Sequence, residues 1–508
     1  MGYAQIAAVD LGSNSFRLEV GRVVDDQIYP LDTVKEPVRL ASGLDAAKNL
    51  DAAAQQRALR ALALFGERLR GFQPGSVRAV ATNTLRVAKN ARELLPAFET
   101  ALGFPIEVIG GREEARLIYI GAVHELPATR NKRLIVDIGG GSTEFIVGKK
   151  LDPLLMESLY MGCVSYSLRF FPDGRVDRKR FQEAELAAAR EIATIAHDYR
   201  ALGWEEGAAT SGTARAIVDL LEANGLNPDG ASGITRTGLG LLREALIRAG
   251  TAGQLKLAGM RADRIPVFAG GLAIMCAVFQ AFGIERLVYS EGALRLGVLY
   301  DQLGRFQQHD MRDVTVRQFM RRYQVDVRQA ERVERDALTL LGQMVPVGDV
   351  AFEADLRQLR WASLMHEIGL SIAHTGFHKH GAYIVGNADM PGFSRRDQER
   401  LAQLILSQRG KLEKLQSIPF TDPLWRLVCA LRLGVLFNRS RDDSPLPACI
   451  LRHTPSGFSL DVPGDWLAAN PLSTAALADE ALVWQRLGIG LRIRRRNVAK
   501  RLPETGAA

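Results

Sequence analysis

The feature that most constrains this chain is a phrase written twice. VDLGSNSF at Val9–Phe16 and VDIGGGSTEF at Val136–Phe145 each pass from an apolar stretch ending in aspartate, through small residues, into another apolar stretch. The copies begin 127 residues apart. Two apolar runs around a Gly- and Ser-rich tip spell a β-hairpin, and its duplication predicts two related halves facing one cleft. Backbone N–H groups at such a tip converge on one point and bind phosphate oxygens without a side-chain charge. Gly12, Ser13, Asn14 and Ser15 make the first tip, and Gly139, Gly140, Gly141, Ser142 and Thr143 the second. Asp10 and Asp137 occupy the same place in the two turns, where a carboxylate can hold Mg²⁺ directly or through water. Glu144 has no counterpart in the first copy.

Around these hairpins, short apolar runs alternate with helical periodicity through the first 300 residues. Strands are expected at Ile6–Val9, Val77–Ala81, Leu134–Val136, Ala208–Thr210, Val267–Ala269 and Arg286–Tyr289. Helices are expected at Ala52–Leu69, Glu113–His124, Phe181–Leu202, Thr213–Ala223 and Gly238–Ala249. Such alternation implies α/β layers. Beyond about residue 305 the pattern becomes helical, with amphipathic stretches at Val314–Val325, Gln329–Leu341, Leu356–Leu370, Arg396–Ser407 and Pro423–Phe437. Short strands around Gly457–Val462 and Leu491–Ile493, with a helix near Thr474–Leu487, suggest a small α+β end. The expected domains are 1–117, 118–303, 304–456 and 457–508.

A chain of 508 residues exceeds what one core can organise. Its four cysteines are scattered without a CxxC pair, which argues against a disulfide framework or zinc site and favours a reducing, cytoplasmic setting. No signal-peptide pattern precedes the first strand. Ile265–Ile284 contains no charge over twenty residues, the length of a membrane span. Pro266 and Gly270–Gly271 favour a buried strand-turn-helix there, leaving at most peripheral membrane association. The net charge is +8, with 29 basic and 23 acidic residues in 301–508 against 36 and 34 in 1–300. A basic surplus suits a polyanion, but one this small suits a solvated face better; no nucleic acid is expected.

Further polar turns follow other strands. Ala81–Arg86, ATNTLR, sets Asn83, Thr84 and Arg86 at a helix start, where the guanidinium could take a phosphate bidentately. Thr210–Thr213, TSGT, fits either helix capping or ligand contact. GGREEARLIYIGA at Gly110–Ala122 places Glu113 and Glu114 in the first turn of a helix. That is a favourable place for acids by the helix dipole. It is equally a place for a general base, which in a phosphate cleft would deprotonate water.

VDLGSNSF, ATNTLR, GGREEARLIY, VDIGGGSTEF, TSGTAR and SEGALRLGVLYD, in this order, resemble the exopolyphosphatase/guanosine pentaphosphatase family. The likeness is dense over residues 4–300 and continues at Leu364–Ser394. It implies two actin-like (ribonuclease H-like) α/β domains of the sugar kinase, heat-shock chaperone and actin superfamily. An all-α HD-like domain and a small α+β domain would follow. It implies Glu114 as catalytic base, Asp137 and Glu144 as metal ligands with Asp10 beside them, and Mg²⁺ as cofactor with K⁺ as an activator. Ser13, Asn14, Ser15, Asn83, Thr84, Arg86, Gly140, Gly141, Ser142 and Thr143 would hold phosphates. Glu113 is expected to raise the proton affinity of Glu114 by like-charge repulsion.

The implied reaction is hydrolysis of a terminal phosphoanhydride by a homodimeric enzyme. Inorganic polyphosphate is the preferred substrate, towards which GGGSTE leans, and guanosine pentaphosphate the alternative. A small-molecule kinase of the same superfamily would need an adenosine-binding glycine motif, for which AGGLAI at Ala269–Ile274 is the nearest candidate; GREE argues against it. A non-catalytic scaffold is disfavoured by the acids and nests occurring together. His366–Glu367, with His374, His378 and His380, stands where an HD-type enzyme would carry its metal ligands. Glu367 replaces the required aspartate, so a groove or dimer contact is the preferred role.

Overall fold

The computed structural model describes residues 3–24, 27–306, 310–345 and 350–496. The chain divides into two compact units, Met1–Met311 with Pro391–Ser394, and Arg312–Met390 with Arg395–Ala508.

The first unit holds two sheets. One comprises β1 (Gln5–Leu11), β2 (Phe16–Val24), β3 (Gln27–Glu36), β4 (Val77–Ala81) and β5 (Ile106–Val108), in the order β3-β2-β1-β4-β5. The other comprises β6 (Lys132–Ile138), β7 (Thr143–Lys149), β8 (Asp152–Leu159), β9 (Glu206–Thr210), β10 (Ile234–Thr235) and β11 (Arg286–Tyr289). Its order, β8-β7-β6-β9-β11-β10, repeats the first with one strand added at the edge. In each sheet the leading three strands are antiparallel and the next pair joins in parallel. The duplicated hairpin thus belongs to a duplicated sheet.

Both faces of each sheet are covered, which is why the strands read as continuous apolar runs. Along β1, Ala7, Val9 and Leu11 enter one core with the helix Ala52–Arg68, while Ile6 and Ala8 enter a second core. Along β6, Leu134, Val136 and Ile138 face a third core, while Ile135 joins Ile6 and Ala8 in the second. That shared core is completed by the helices Gly111–Glu125 and Leu294–Phe306. The two helices meet backbone to backbone: a Cβ on Gly121 would stand 2.0 Å from the Ala293 carbonyl oxygen, and one on Gly297 1.7 Å from that of Leu117.

Val267–Ala269 is not a strand. Ile265–Val267 is a single 3₁₀ turn and Phe268–Phe282 one unbroken helix. Gly270 and Gly271 serve close packing instead of a turn, since Cβ atoms there would meet Ser167 N at 2.6 Å and the Thr213 methyl at 2.5 Å. This also removes AGGLAI as an open ligand loop. The apolar stretch Ile265–Phe282 is long enough to span a membrane, and 72% of it is buried inside the fold.

The second unit is helical, with Met311–Arg322, Val327–Gly342, Val350–Leu364, Phe377–Asn387, Arg395–Ser407 and Leu424–Phe437 as its main helices. It ends in a three-stranded sheet, β12 (Ile450–Thr454), β13 (Gly457–Pro463) and β14 (Gly490–Arg496), with the helix Pro471–Gln485. Buried Arg432 grips Glu480, and Trp425 packs edge-on to Trp484, so helices and sheet share one interior. The expected domain limits fall inside elements: 117/118 within Gly111–Glu125, 303/304 within Leu294–Phe306, and 456/457 in the β12–β13 turn. Residues 497–508 of the expected last domain lie outside the described residues.

Candidate active site

The two hairpin tips meet at a cavity of about 350 Å³. Their registers are identical: Leu11 pairs with Phe16 and Ile138 with Thr143, leaving four residues in each tip. The tips approach so closely that a Cβ on Gly140 would lie 3.0 Å from the Ser13 Cβ, and one on Gly141 2.8 Å from the Asn83 side-chain oxygen. Glycine is required there by proximity, not by backbone angle.

Five acids line this cavity, and four of them, Asp10, Glu114, Asp137 and Glu144, are those the sequence singled out; Glu291 is the fifth. Glu114 comes from the first turn of the helix Gly111–Glu125, and its Oε2 accepts a 3.0 Å bond from Arg86 Nη1. Burial raises its pKa and neighbouring Asp10 adds to this, against the opposing Arg86. Asp137 is pushed up to about 7, by burial first and then by Glu114 and Asp10, while Ser211 opposes. Glu144 is raised well above the carboxylate range by burial, Glu114 and Asp137, although Ser158 donates to its Oε1 at 2.8 Å. Burial raises Asp10 too, against Arg295 and Arg17, and its Oδ1 is buried without a hydrogen-bond partner. Such a set is stabilised by a bound cation or by protons.

Ser13, Asn14, Ser15, Asn83, Gly140, Gly141 and Ser142 all line the cavity. The Asn83 amide nitrogen is buried without a partner, a donor left over for a ligand. Three expected phosphate contacts do not line it. Thr143 is fully buried and its hydroxyl donates to the Met161 carbonyl at 2.6 Å. Thr84 donates to Ser13 Oγ at 2.8 Å, holding the first tip. Arg86 bonds Glu114 and the Ile109 carbonyl, so it acts on the acid from behind.

The TSGT turn divides by residue. Thr210 and Thr213 donate to the carbonyls of Gly292 and Ile138, tying strands together. Ser211, at φ 71°, and Gly212 line the cavity. Neither threonine caps the helix Ser211–Ala223 with its side chain.

Glu113 is turned away from Glu114. It pairs bidentately with Arg116 at 2.7 and 2.8 Å and has no part in raising the Glu114 carboxyl. The like-charge expectation is therefore corrected: consecutive helical residues point about 100° apart.

Six cations missed by motif reading also line the cavity: Arg17, Lys35, Arg215, Arg261, Arg264 and Arg295. Arg17 pairs across β1–β2 with Asp10, the position Glu144 holds opposite Asp137. Arg215 and Arg295 lie inside quoted motifs, TSGTAR and SEGALRLG, and were legible there; Lys35, Arg261 and Arg264 carried no signal. Lys35 reaches Asp263 at 2.9 Å, which also neighbours Arg261 at 3.4 Å and Arg264 at 3.9 Å. One carboxylate thus serves three cations. Tyr289 contributes the single aromatic ring among the described lining residues, with Arg215 over it at 5.3 Å.

The histidine region of the second unit is arranged otherwise. His366 is buried and bonds the Ser363 carbonyl at 2.7 Å, while Glu367 pairs with Arg441. Among the described residues no three His, Cys, Asp or Glu side chains converge as a metal site.

Comparison with known proteins places this geometry. Residues 20–306 match the Ppx/GppA phosphatase family and residues 311–481 its domain III. A guanosine-5'-triphosphate,3'-diphosphate pyrophosphatase of Aeromonas hydrophila is 37% identical over 487 residues, 95% of this chain and 97% of that one. Among solved structures, an exopolyphosphatase-like protein matches with TM-score 0.53 and 25% identity, over 60% of this chain and 99% of its own. An exopolyphosphatase from Cytophaga hutchinsonii matches with TM-score 0.52 and 24% identity, over 59% and 97%. The duplicated actin-like sheets, the paired tips and both matched regions agree: this chain belongs to the Ppx/GppA phosphatase family.

Proposed function

We propose that this chain hydrolyses the terminal phosphoanhydride of inorganic polyphosphate, with Glu114 as general base. The observation that carries this reading is the placement of a buried, proton-hungry carboxylate in one cavity with two glycine-serine tips and six cations. Water attacks the terminal phosphorus, the bond to the bridging oxygen breaks, and orthophosphate leaves a chain one unit shorter. Glu114 takes the proton of the attacking water. Its affinity for that proton, raised by burial, brings it closer to working pH, where a general base is most effective. Arg86 holds the carboxylate from behind. The backbone tips and Asn83 would orient the terminal phosphate, and Arg17, Lys35, Arg261, Arg264 and Arg295 would take the following units. Positioning and charge neutralisation are the main demands of phosphoryl transfer.

The acids suit Mg²⁺. Asp10 Oδ1 is buried and unpartnered, and Asp137 raises the proton affinity of Glu144, strain that a cation would relieve. Mg²⁺ is usually held by one or two carboxylates, with waters and substrate oxygens completing its shell. Asp137 and Glu144, with Asp10 nearby, would hold it. When bound it would neutralise phosphate oxygens.

A second reading, hydrolysis of guanosine pentaphosphate, is favoured by Tyr289 and by the activity named for the Aeromonas relative. The ring already carries Arg215 on one side and would stack a base. Purified protein with Mg²⁺ should release orthophosphate from long-chain polyphosphate without ADP, with or without K⁺. Comparing kcat/KM on polyphosphate and guanosine pentaphosphate ranks the substrates. Tyr289→Leu should weaken the nucleotide alone. Glu114→Gln should lower kcat by about 100-fold or more; near-normal turnover would remove Glu114 as the base.

A further inference from the structure

Behind the cavity, on the far side of the helix that carries Glu114, lies a buried network of three cations and three anions. Glu113 is 4% exposed. Its Oε2 accepts from Arg116 Nε at 2.7 Å and from the Gly392 N–H at 2.8 Å, and its Oε1 from Arg116 Nη2 at 2.8 Å. Arg116 also bonds Asp301 at 2.6 Å, and Asp301 takes Arg78 at 2.7 Å and Arg305 at 3.1 Å. Arg78 reaches Glu107 at 3.1 Å and stands 3.8 Å from Glu113. Arg305 returns to the Gly392 carbonyl at 3.1 Å, so one peptide segment is gripped at both its N–H and its C=O.

These contacts constrain one degree of freedom. Close glycine packing between Gly111–Glu125 and Leu294–Phe306 already opposes sliding of the helix. Rotation about its own axis is opposed by Glu113, which takes the Gly392 N–H directly and holds Arg116, three residues on in the same helix, towards Asp301 on the neighbouring one. Rotation matters because Glu114 is the next residue, and a small turn would carry its still-buried carboxylate away from Arg86. Strand β4 supports both arms, bearing Arg78 near its start and leading directly into the turn with Arg86.

We infer that Glu113 is a positioning residue for the reaction, fixing the rotation of the helix Gly111–Glu125 and thereby holding Glu114 against Arg86. The inference rests on the proposed role of Glu114 as base. It is separable from that role by experiment.

Glu113→Gln keeps the side-chain length and one acceptor oxygen but leaves the buried network with one uncompensated cation. Steady-state orthophosphate release from polyphosphate with Mg²⁺ should show kcat reduced about 10- to 100-fold, the scale of a misplaced reacting group. KM should stay within about threefold, since the cations that bind substrate are untouched. The acid limb of kcat/KM should move to higher pH, because a Glu114 withdrawn from Arg86 holds its proton longer. Glu113→Asp, which retains the charge, should recover part of kcat and part of the pH shift. Wild-type kcat and pH profile in Glu113→Gln would overturn the inference. So would a loss of activity that only tracks the folded fraction, with the acid limb unmoved. If Glu113→Gln does not accumulate as folded protein, Glu113→Asp decides by the same two readouts. Near-normal turnover in Glu114→Gln removes the base itself, whatever Glu113 does.

Discussion

Asp10 and Asp137 stand at the same place in two hairpins of equal length, yet Arg17 faces the first across its ladder and Glu144 the second. A single inversion of charge separates the copies at that register. Around Asp10, Arg17 and Arg295 offset the cost of burying a carboxylate. Around Asp137 the neighbouring acids, Glu114 and Asp10, add to it. Duplication supplied two hairpin tips of equal length; divergence at the partner position set a cation opposite Asp10 and a second acid opposite Asp137. Fold symmetry and site asymmetry are thus set by different residues of the same hairpin.

That division of labour can be broken in three places. The largest effect is expected at Glu144: Glu144→Gln should reduce kcat on the order of 100-fold, the scale of losing one preorganised electrostatic group. A Mg²⁺ titration should show a higher concentration for half-maximal activity. A smaller effect is expected across the cleft, where Arg17→Gln should raise KM for polyphosphate about tenfold, as expected for a lost charged hydrogen bond. Its kcat should change little. If Arg17→Gln behaves like Glu144→Gln, in kcat and in Mg²⁺ demand, the two tips do not divide the work.

The smallest effect is on stability. With Asp137 at about 7 in the folded state and near 3.8 when unperturbed, the folded protein binds more protons across that interval. Stability must then fall as pH rises through it. Metal-free protein should melt at a lower Tm at pH 7.5 than at pH 5. Asp137→Asn should flatten that slope more than Asp10→Asn, whose carboxylate has cationic neighbours. Equal slopes in the two variants would dissolve the electrostatic contrast.

Much of this cleft was legible before any coordinates. The paired turns, the helix bearing GREE and the order of motifs record local events: hairpins, caps and a duplicated strand pattern. What stayed hidden depended on which way a side chain turns or what lies beside it. Thr143 sits in the second tip by sequence, but its hydroxyl bonds Met161. Gly270 and Gly271 looked like a break because glycine weakens a helix; their role is to admit Ser167 and Thr213 against the helix Phe268–Phe282. Lys35 is brought from a distant strand to Asp263, which Arg261 and Arg264 flank in sequence. No spacing rule joins residues brought together by tertiary closure.

The crossing of Gly111–Glu125 and Leu294–Phe306 bears on how variation in this chain will be interpreted. At Gly121, Gly292 and Gly297 even one methyl group would strike a backbone oxygen rather than a side chain able to move aside. In a saturation screen scored by phosphate release, these three positions should be as intolerant as Glu114, and alanine should fare nearly as badly as leucine. They would register as catalytic hits with no functional group to explain them, a signature of geometry that a sequence-variation map alone would assign to chemistry.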